Sequence, residues 1–179
     1  MSQVLRLEKT ASTQDVAKTL AREGAPAGTL VWAEVQTSGR GRLDRSWSSP
    51  LGGLYFSLVL RPAWHPERLA QLGIAAAEAA RSGLYRLAGV EAFVKPPNDL
   101  LALEKGLPRK LCGILAEAAG DSRSVDWAVL GVGINVNAPP ALKSATSLRR
   151  LTGKKWEPET VLRAFLAEFD KWYKTSHAA

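Results

Sequence analysis

Several short stretches of this chain gather residues that can handle anions. Gln36 to Trp47, QTSGRGRLDRSW, sets Arg40, Arg42 and Arg45 beside Gly39 and Gly41. Glycines there let backbone N–H groups approach an anion closely, and guanidinium forks at alternate positions neutralise phosphate or carboxylate charge. Taken alone, the stretch fits a phosphate-handling loop and a solvated basic hairpin turn equally. Lys95 to Leu101, KPPNDLL, holds an ammonium, an amide and a carboxylate close together around a diproline. Lys95 suits phosphates and Asp99 offers a hard oxygen to Mg²⁺, although Asn98 and Asp99 also suit a turn that caps backbone groups. In RKLCGILAE, Lys110 opens an apolar run and Gly113 permits close approach of a ligand or backbone. In GVGINVN, Gly131, Gly133 and Asn135 interrupt an apolar run at alternate positions, the pattern of a bulge or barrel corner.

The elements that must position these residues follow from periodicity and punctuation. Residues 4–8 read as a short strand, and Ser12 or Thr13 can cap a helix running to Gly24. TLVWAEV (29–35) and LYFSLVL (54–60) are strands flanking the basic loop, with SSPLGG supplying the turn before the second. A helix spans about Pro66 to Leu87, with Pro66 in its first turn. VEAFVK (90–95) is a strand ended by Pro96 and Pro97, and LEKGLP (103–108) is a turn. KLCGILAEA (110–118) and DWAVLGVGINVN (126–137) form a hairpin across GDSRS. Residues 144–153 are a short helix stopped by Gly153, and the apolar spacing from 161 to 173 makes the last element an amphipathic helix. The inventory is α+β: a mostly antiparallel mixed sheet with helices packed on one face, a single domain over residues 1–179.

Composition narrows the function. At 179 residues the chain fits one domain, and 46% apolar with 23% charged residues is ordinary for a globular protein. No apolar run is long enough to span a bilayer and the N-terminus lacks a signal-peptide core, so no membrane partner and a cytoplasmic location are expected. One cysteine, Cys112, excludes an intrachain disulfide, and with His65 and His177 the only histidines a His/Cys metal site is not expected. The net charge of +7 calls for an anionic partner. DNA is not the expected one: zinc-finger spacing, zipper heptads and RNA-binding aromatics are missing, and a helix-turn-helix module needs more chain ahead of Ser12.

Ser12-Thr13-Gln14, Gln36 with Gly39 to Trp47, Lys95 to Leu100, Arg109 to Leu115 and Gly131 to Asn137 stand in an order that resembles the biotin protein ligase catalytic domain. That family's pattern runs STN, Q…GRGRxGRxW, KWPNDL, RK(L)xGIL, GxGINxN. The resemblance covers about residues 3 to 172 and implies a class II synthetase-like fold shared with lipoate ligases. It implies ATP-dependent activation of biotin as biotinyl-5′-AMP, then transfer to a lysine of a biotin carboxyl-carrier protein domain, with Mg²⁺ and with a homodimer as a possible assembly. By motif position, Lys110 and Arg42 are the implied catalytic pair. Ser12, Thr13, Gln14, Gln36, Arg40, Gly41, Arg42, Lys110, Gly113 and Leu115 are implied to bind biotin. Arg40, Arg42, Trp47, Lys95, Asn98, Asp99, Lys110 and Asn135 are implied to bind ATP and adenylate, with Asp99 as the Mg²⁺ ligand.

The chain departs from the pattern at several places. Gln14 stands for the usual Asn, Asp44 for a glycine and Pro96 for a tryptophan, while Arg45 is assigned a structural or surface role. The resemblance also leads to the expectation of a minimal form, without the N-terminal DNA-binding module or C-terminal barrel found in many members. Two other readings use the same residues: a lipoate or octanoate ligase or transferase of the same fold, and a non-catalytic biotin-binding sensor.

Overall fold

The computed structural model describes residues 3–138 and 142–177. Among these residues seven strands form one sheet: β1 (Gln3–Thr10), β2 (Thr29–Gln36), β3 (Leu54–Leu60), β4 (Ala92–Lys95), β5 (Asp99–Glu104), β6 (Leu107–Gly120) and β7 (Val125–Ile134). Their order is β1-β2-β3-β7-β6-β5-β4. β1 pairs parallel with β2 and the remaining neighbours pair antiparallel, so the sheet is mixed and mostly antiparallel as expected. The helices are α1 (Thr13–Arg22), α2 (Leu69–Ala88), the short α3 (Leu148–Thr152) and α4 (Pro158–His177), with a 3₁₀ turn at Pro66–Arg68 leading into α2. No helix among the described residues is long and apolar enough to cross a membrane.

Alternation along the strands sorts side chains between two layers. One layer takes Leu54, Phe56, Leu58 and Leu60 of β3 and Leu130, Val132 and Ile134 of β7, packed under α2 and α4. Alanines at 76, 77, 79 and 80 let α2 lie close to this layer, and Phe165 of α4 meets Phe56 edge-on at 5.3 Å between ring centroids. The opposite face carries a smaller cluster in which Ala17 and Ala21 of α1 cover Val31, Val59, Trp127 and Val129. The expectation of helices on one face is therefore corrected: α2 and α4 share a face and α1 takes the other. A helical stripe shows that a helix packs on the sheet, and the chain's path decides on which side.

The element bounds shift in ways that affect the site. The stretch after the diproline is not only a turn, because DLLALE forms β5, and the tight connection is Lys105–Gly106, both with positive φ. β7 ends at Ile134, so Asn135 and Asn137 lie just past the ladder. The short helix starts at Leu148 rather than 144, and Gly153 stops it in the left-handed region at φ 72°.

Candidate active site

On β7, the residues facing α1 continue beyond Val129 as Gly131 and Gly133. There the helix no longer covers the sheet, and a cleft of about 680 Å³ opens. Register fixes its floor. One row runs Ser57 of β3, Gly131 of β7 and Leu115 of β6; two residues along, the next row runs Gly133, Gly113 and Asp99 of β5. The two glycines of GVGINVN sit in regular ladder positions, not at a bulge, and what their missing side chains provide is room. A methyl on Gly133 would lie 2.5 Å from Trp47 Nε1, and one on Gly113 would lie 2.9 Å from Trp47 Cζ3. The Trp47 indole thus spans this glycine ledge. Its buried N–H has no hydrogen-bond partner.

At the α1 end of the cleft lies a buried hydrogen-bond chain with a definite direction. Gln14 Nε2 donates to Val129 O at 3.2 Å, which turns Gln14 Oε1 towards Ser57 Oγ, from which it accepts at 3.0 Å. Ser57 spends its single proton there, so across the 3.0 Å contact with Thr13 Oγ1 it can only accept. Thr13 likewise has one hydroxyl proton, which goes either to Ser57 Oγ or to Gln36 Oε1 at 3.1 Å, while Gln36 Nε2 donates to Ser49 Oγ. With its proton directed inward, Thr13 presents lone pairs to the cleft. Ser12 does the opposite. It stands at the N-cap of α1, but its side chain does not cap the helix, and its buried Oγ has no partner. That wall offers an acceptor beside an unspent hydroxyl.

The cationic end depends on an irregularity in β6. Leu100 pairs with Cys112, but Leu101 pairs with Lys110, so Leu111 is an extra residue. Strict alternation would aim Lys110 into the α2/α4 layer together with Cys112. The bulge reverses the phase, sending Leu111 into the core and Lys110 to the cleft. The Lys110 Nζ lies 2.7 Å from Asp99 Oδ1 and 5.2 Å from the centre of the Trp47 ring. Its backbone is fixed on both sides: Lys110 N–H donates to Ser144 O, and Lys110 O accepts from Thr146 N and Asn135 Nδ2. Asn98 Nδ2 donates to Ile114 O at 2.7 Å, so the two asparagines hold this corner together through their amides.

Every residue assigned to biotin, ATP or adenylate from the sequence lines this one cleft: Ser12, Thr13, Gln14, Gln36, Arg40, Gly41, Arg42, Trp47, Lys95, Asn98, Asp99, Lys110, Gly113, Leu115 and Asn135. Some arrive differently from expectation. The Arg40 guanidinium is paired with Asp15 at 2.7 Å, and that hydrogen bond, acting against burial, raises its pKa. Arg45, given a surface role, also lines the cleft. Asp44 holds a positive φ of 56°, and Leu43, unexpectedly, does so too at 54°. Ser57, a lone hydroxyl inside an apolar strand, joins the site without any signal in the sequence.

Among the described residues no group of three His, Cys, Asp or Glu side chains could hold a metal. Among the described residues Asp99 is the one carboxylate lining the cleft, and it is already paired with Lys110. This donor set suits a Mg²⁺ ion whose other ligands come from nucleotide phosphates and water.

Residues 7–135 match the family described as Biotin/lipoate A/B protein ligase family. The chain is 41% identical over 170 residues to the Bifunctional ligase/repressor BirA of Bacillus subtilis, covering 91% of this chain and 51% of that protein. It is 37% identical over 118 residues to the Biotin--[acetyl-CoA-carboxylase] ligase of Mycobacterium tuberculosis, covering 63% of this chain and 41% of that one. The chain thus spans about half the length, or less, of the curated relatives it matches. The structure of biotin protein ligase from Aquifex aeolicus in complex with biotin and ATP superposes with a TM-score of 0.82 at 30% identity, over 99% of this chain and 73% of that one. With this fold, and with the match extending over most of its length, the chain belongs to the biotin/lipoate protein ligase family.

Proposed function

We propose that the chain activates biotin with ATP as biotinyl-5′-AMP and transfers it to a lysine of a biotin carboxyl-carrier domain. The observation that carries this reading is the sequence of chemistries along the cleft. Thr13 offers an acceptor and Ser12 an unspent hydroxyl at one end, matching the N–H and C=O groups of a cyclic urea. Leu115 and the Trp47 indole seated on Gly113 and Gly133 follow for an apolar ring, and Lys110, Arg42 and Lys95 for a carboxylate meeting phosphates. From Ser57 to Gly113, beside which the Lys110 side chain lies, is about 10 Å across two strands and about 7 Å along one, the reach of a ureido ring joined to a short acid chain.

In the first step a carboxylate oxygen attacks the α-phosphorus of ATP, and the bond to the β-phosphate oxygen breaks to release pyrophosphate. Two anions must approach, so the task is charge neutralisation and positioning. Lys110 and Arg42 would clamp the carboxylate and α-phosphate, and Lys95, Asn98, Asp99 and Asn135 would serve the nucleotide. A Mg²⁺ carried with the phosphates would neutralise their charge. Lys110, charged and paired with Asp99, acts as an electrostatic clamp and not as a base. Trp47 and the apolar ledge exclude water from a hydrolysable mixed anhydride. In the second step the acceptor amine attacks the acyl carbon and AMP leaves.

The test is to incubate purified protein with biotin, MgCl₂ and α-labelled ATP and to resolve the products. Labelled biotinyl-AMP is expected. Biotin binding without adenylate would replace the ligase reading with a sensor, and adenylate formed equally well from lipoate or octanoate would shift the substrate to that branch of the family.

A further inference from the structure

The loop from Gln36 to Ser49 is built as a small hairpin. Gln36 N–H donates to Ser49 O, Trp47 N–H to Gly39 O at 2.8 Å and Gly41 N–H to Arg45 O at 2.7 Å. Thr37 and Ser38 tie its base to Thr10 O and Ala11 O. Beyond the base, among the described residues, the hydrogen bonds and ion pairs from residues 40–46 to other elements all run through Arg40. Its Nη1 meets Asp15 Oδ1 of α1 at 2.7 Å, and its Nη2 lies 3.5 Å from Glu117 Oε1 of β6. Lys18 of α1 competes for that same Glu117 oxygen, at 2.9 Å.

We propose that Asp15, Glu117 and Lys18 are positioning residues that latch this loop over the cleft through Arg40 and set how long an activated acyl-adenylate is retained. The retention part rests on the ligase reading above; the latch itself does not. Two cations and two anions from three elements form the cluster, and their roles have opposite signs. Asp15 and Glu117 hold Arg40 down. Lys18 draws on the Glu117 charge that Arg40 would otherwise have to itself, so removing Lys18 tightens the latch. The pairs are partly exposed, with Arg40 at 38% and Asp15 at 53%, so salt screens them and loosens the loop.

The first readout uses the ligand-free protein: hydrogen exchange at the Gly41, Arg45 and Trp47 amides. Asp15→Asn should speed exchange there about three- to tenfold, Asp15→Glu should restore it, and Lys18→Met should slow it. Unchanged exchange in Asp15→Asn, or Lys18→Met acting in the same direction as Asp15→Asn, overturns the latch, because a purely structural role would loosen the loop in both. The second readout is release of preformed biotinyl-AMP in a chase. Asp15→Asn should release it several-fold faster, with a salt dependence flatter than that of the wild type. Changed exchange with an unchanged release rate overturns the role in retention. Should the wild type form no adenylate while exchange responds as described, the ligase reading fails and the latch stands.

Discussion

Towards α2 and α4, β3 presents Leu54, Phe56, Leu58 and Leu60; towards α1 and the cleft, the same strand presents Ser57 and Val59. β7 divides likewise, with Leu130, Val132 and Ile134 on the first face and Val129, Gly131 and Gly133 on the second. Because side chains alternate with a period of two, one set of strands supplies a closed apolar layer and, one residue out of phase, an open polar floor. The first face is closed by α2 and α4, although Trp32 Nε1 among its buried residues also has no partner. The second is open at the cleft, where Ser12 Oγ and Trp47 Nε1 are buried without partners. A ligand with a polar ring and an acidic tail is what would complete it.

Substitutions should separate the two faces. Phe165→Ala, at a residue 1% exposed, should cost about 3–5 kcal/mol of stability in a urea titration, with biotin affinity unchanged wherever the protein stays folded. Lost affinity in folded protein would mean that the faces are not independent. Lys110→Ala should do the converse, lowering the adenylation rate about 10²- to 10³-fold. Its partly exposed pair with Asp99 should change stability by less than about 1 kcal/mol. A wild-type adenylation rate would remove Lys110 from the clamp.

Ser12→Ala deletes a hydroxyl that the folded protein leaves unpaired. Biotin affinity should fall about five- to tenfold, while thermal stability holds or rises slightly, since no internal hydrogen bond is lost. A drop in stability without a change in affinity would place the hydroxyl in the scaffold. The smallest effect is expected away from both faces, at Glu104. There Arg150 lies 2.6 Å from the carboxylate and Arg109 lies 3.7 Å away. Burial pushes this carboxyl up, but the neighbouring Thr146 hydroxyl, the Arg150 hydrogen bond and the Arg150 and Arg109 charges outweigh it, and its pKa falls below the ordinary 4.5. A lowered folded-state pKa means stability that is fully present above the unfolded value and lost as pH falls through the folded one. The deficit of Glu104→Gln, about 1 kcal/mol at neutral pH, should therefore fade below about pH 4.5; a deficit that persists in acid would rule out charge as its cause.

Much of this arrangement was legible in the sequence, and the gaps have physical causes. Alternation and turn residues located β2, β3 and the β6–β7 hairpin, and five ordered motifs gathered the residues that line the cleft. β5 was hidden because DLLALE follows a diproline and opens with turn-forming residues. Ser57 was hidden because one hydroxyl in LYFSLVL carries no signal until register sets it opposite Gly131. The aim of Lys110 depends on Leu111 being an extra residue in the ladder, which is a property of pairing with β5 and not of β6 alone. The Arg40 ion pairs were hidden because Asp15 and Glu117 lie far from it in sequence.

The most direct test of the open face is calorimetric titration of the nucleotide-free protein with biotin and, separately, with lipoate, two acids of similar length that differ in the polar ring. Biotin should bind at least about 100-fold more tightly, because only its ureido group can use both the Thr13 acceptor and the unspent Ser12 hydroxyl. Equal affinities would contradict the account.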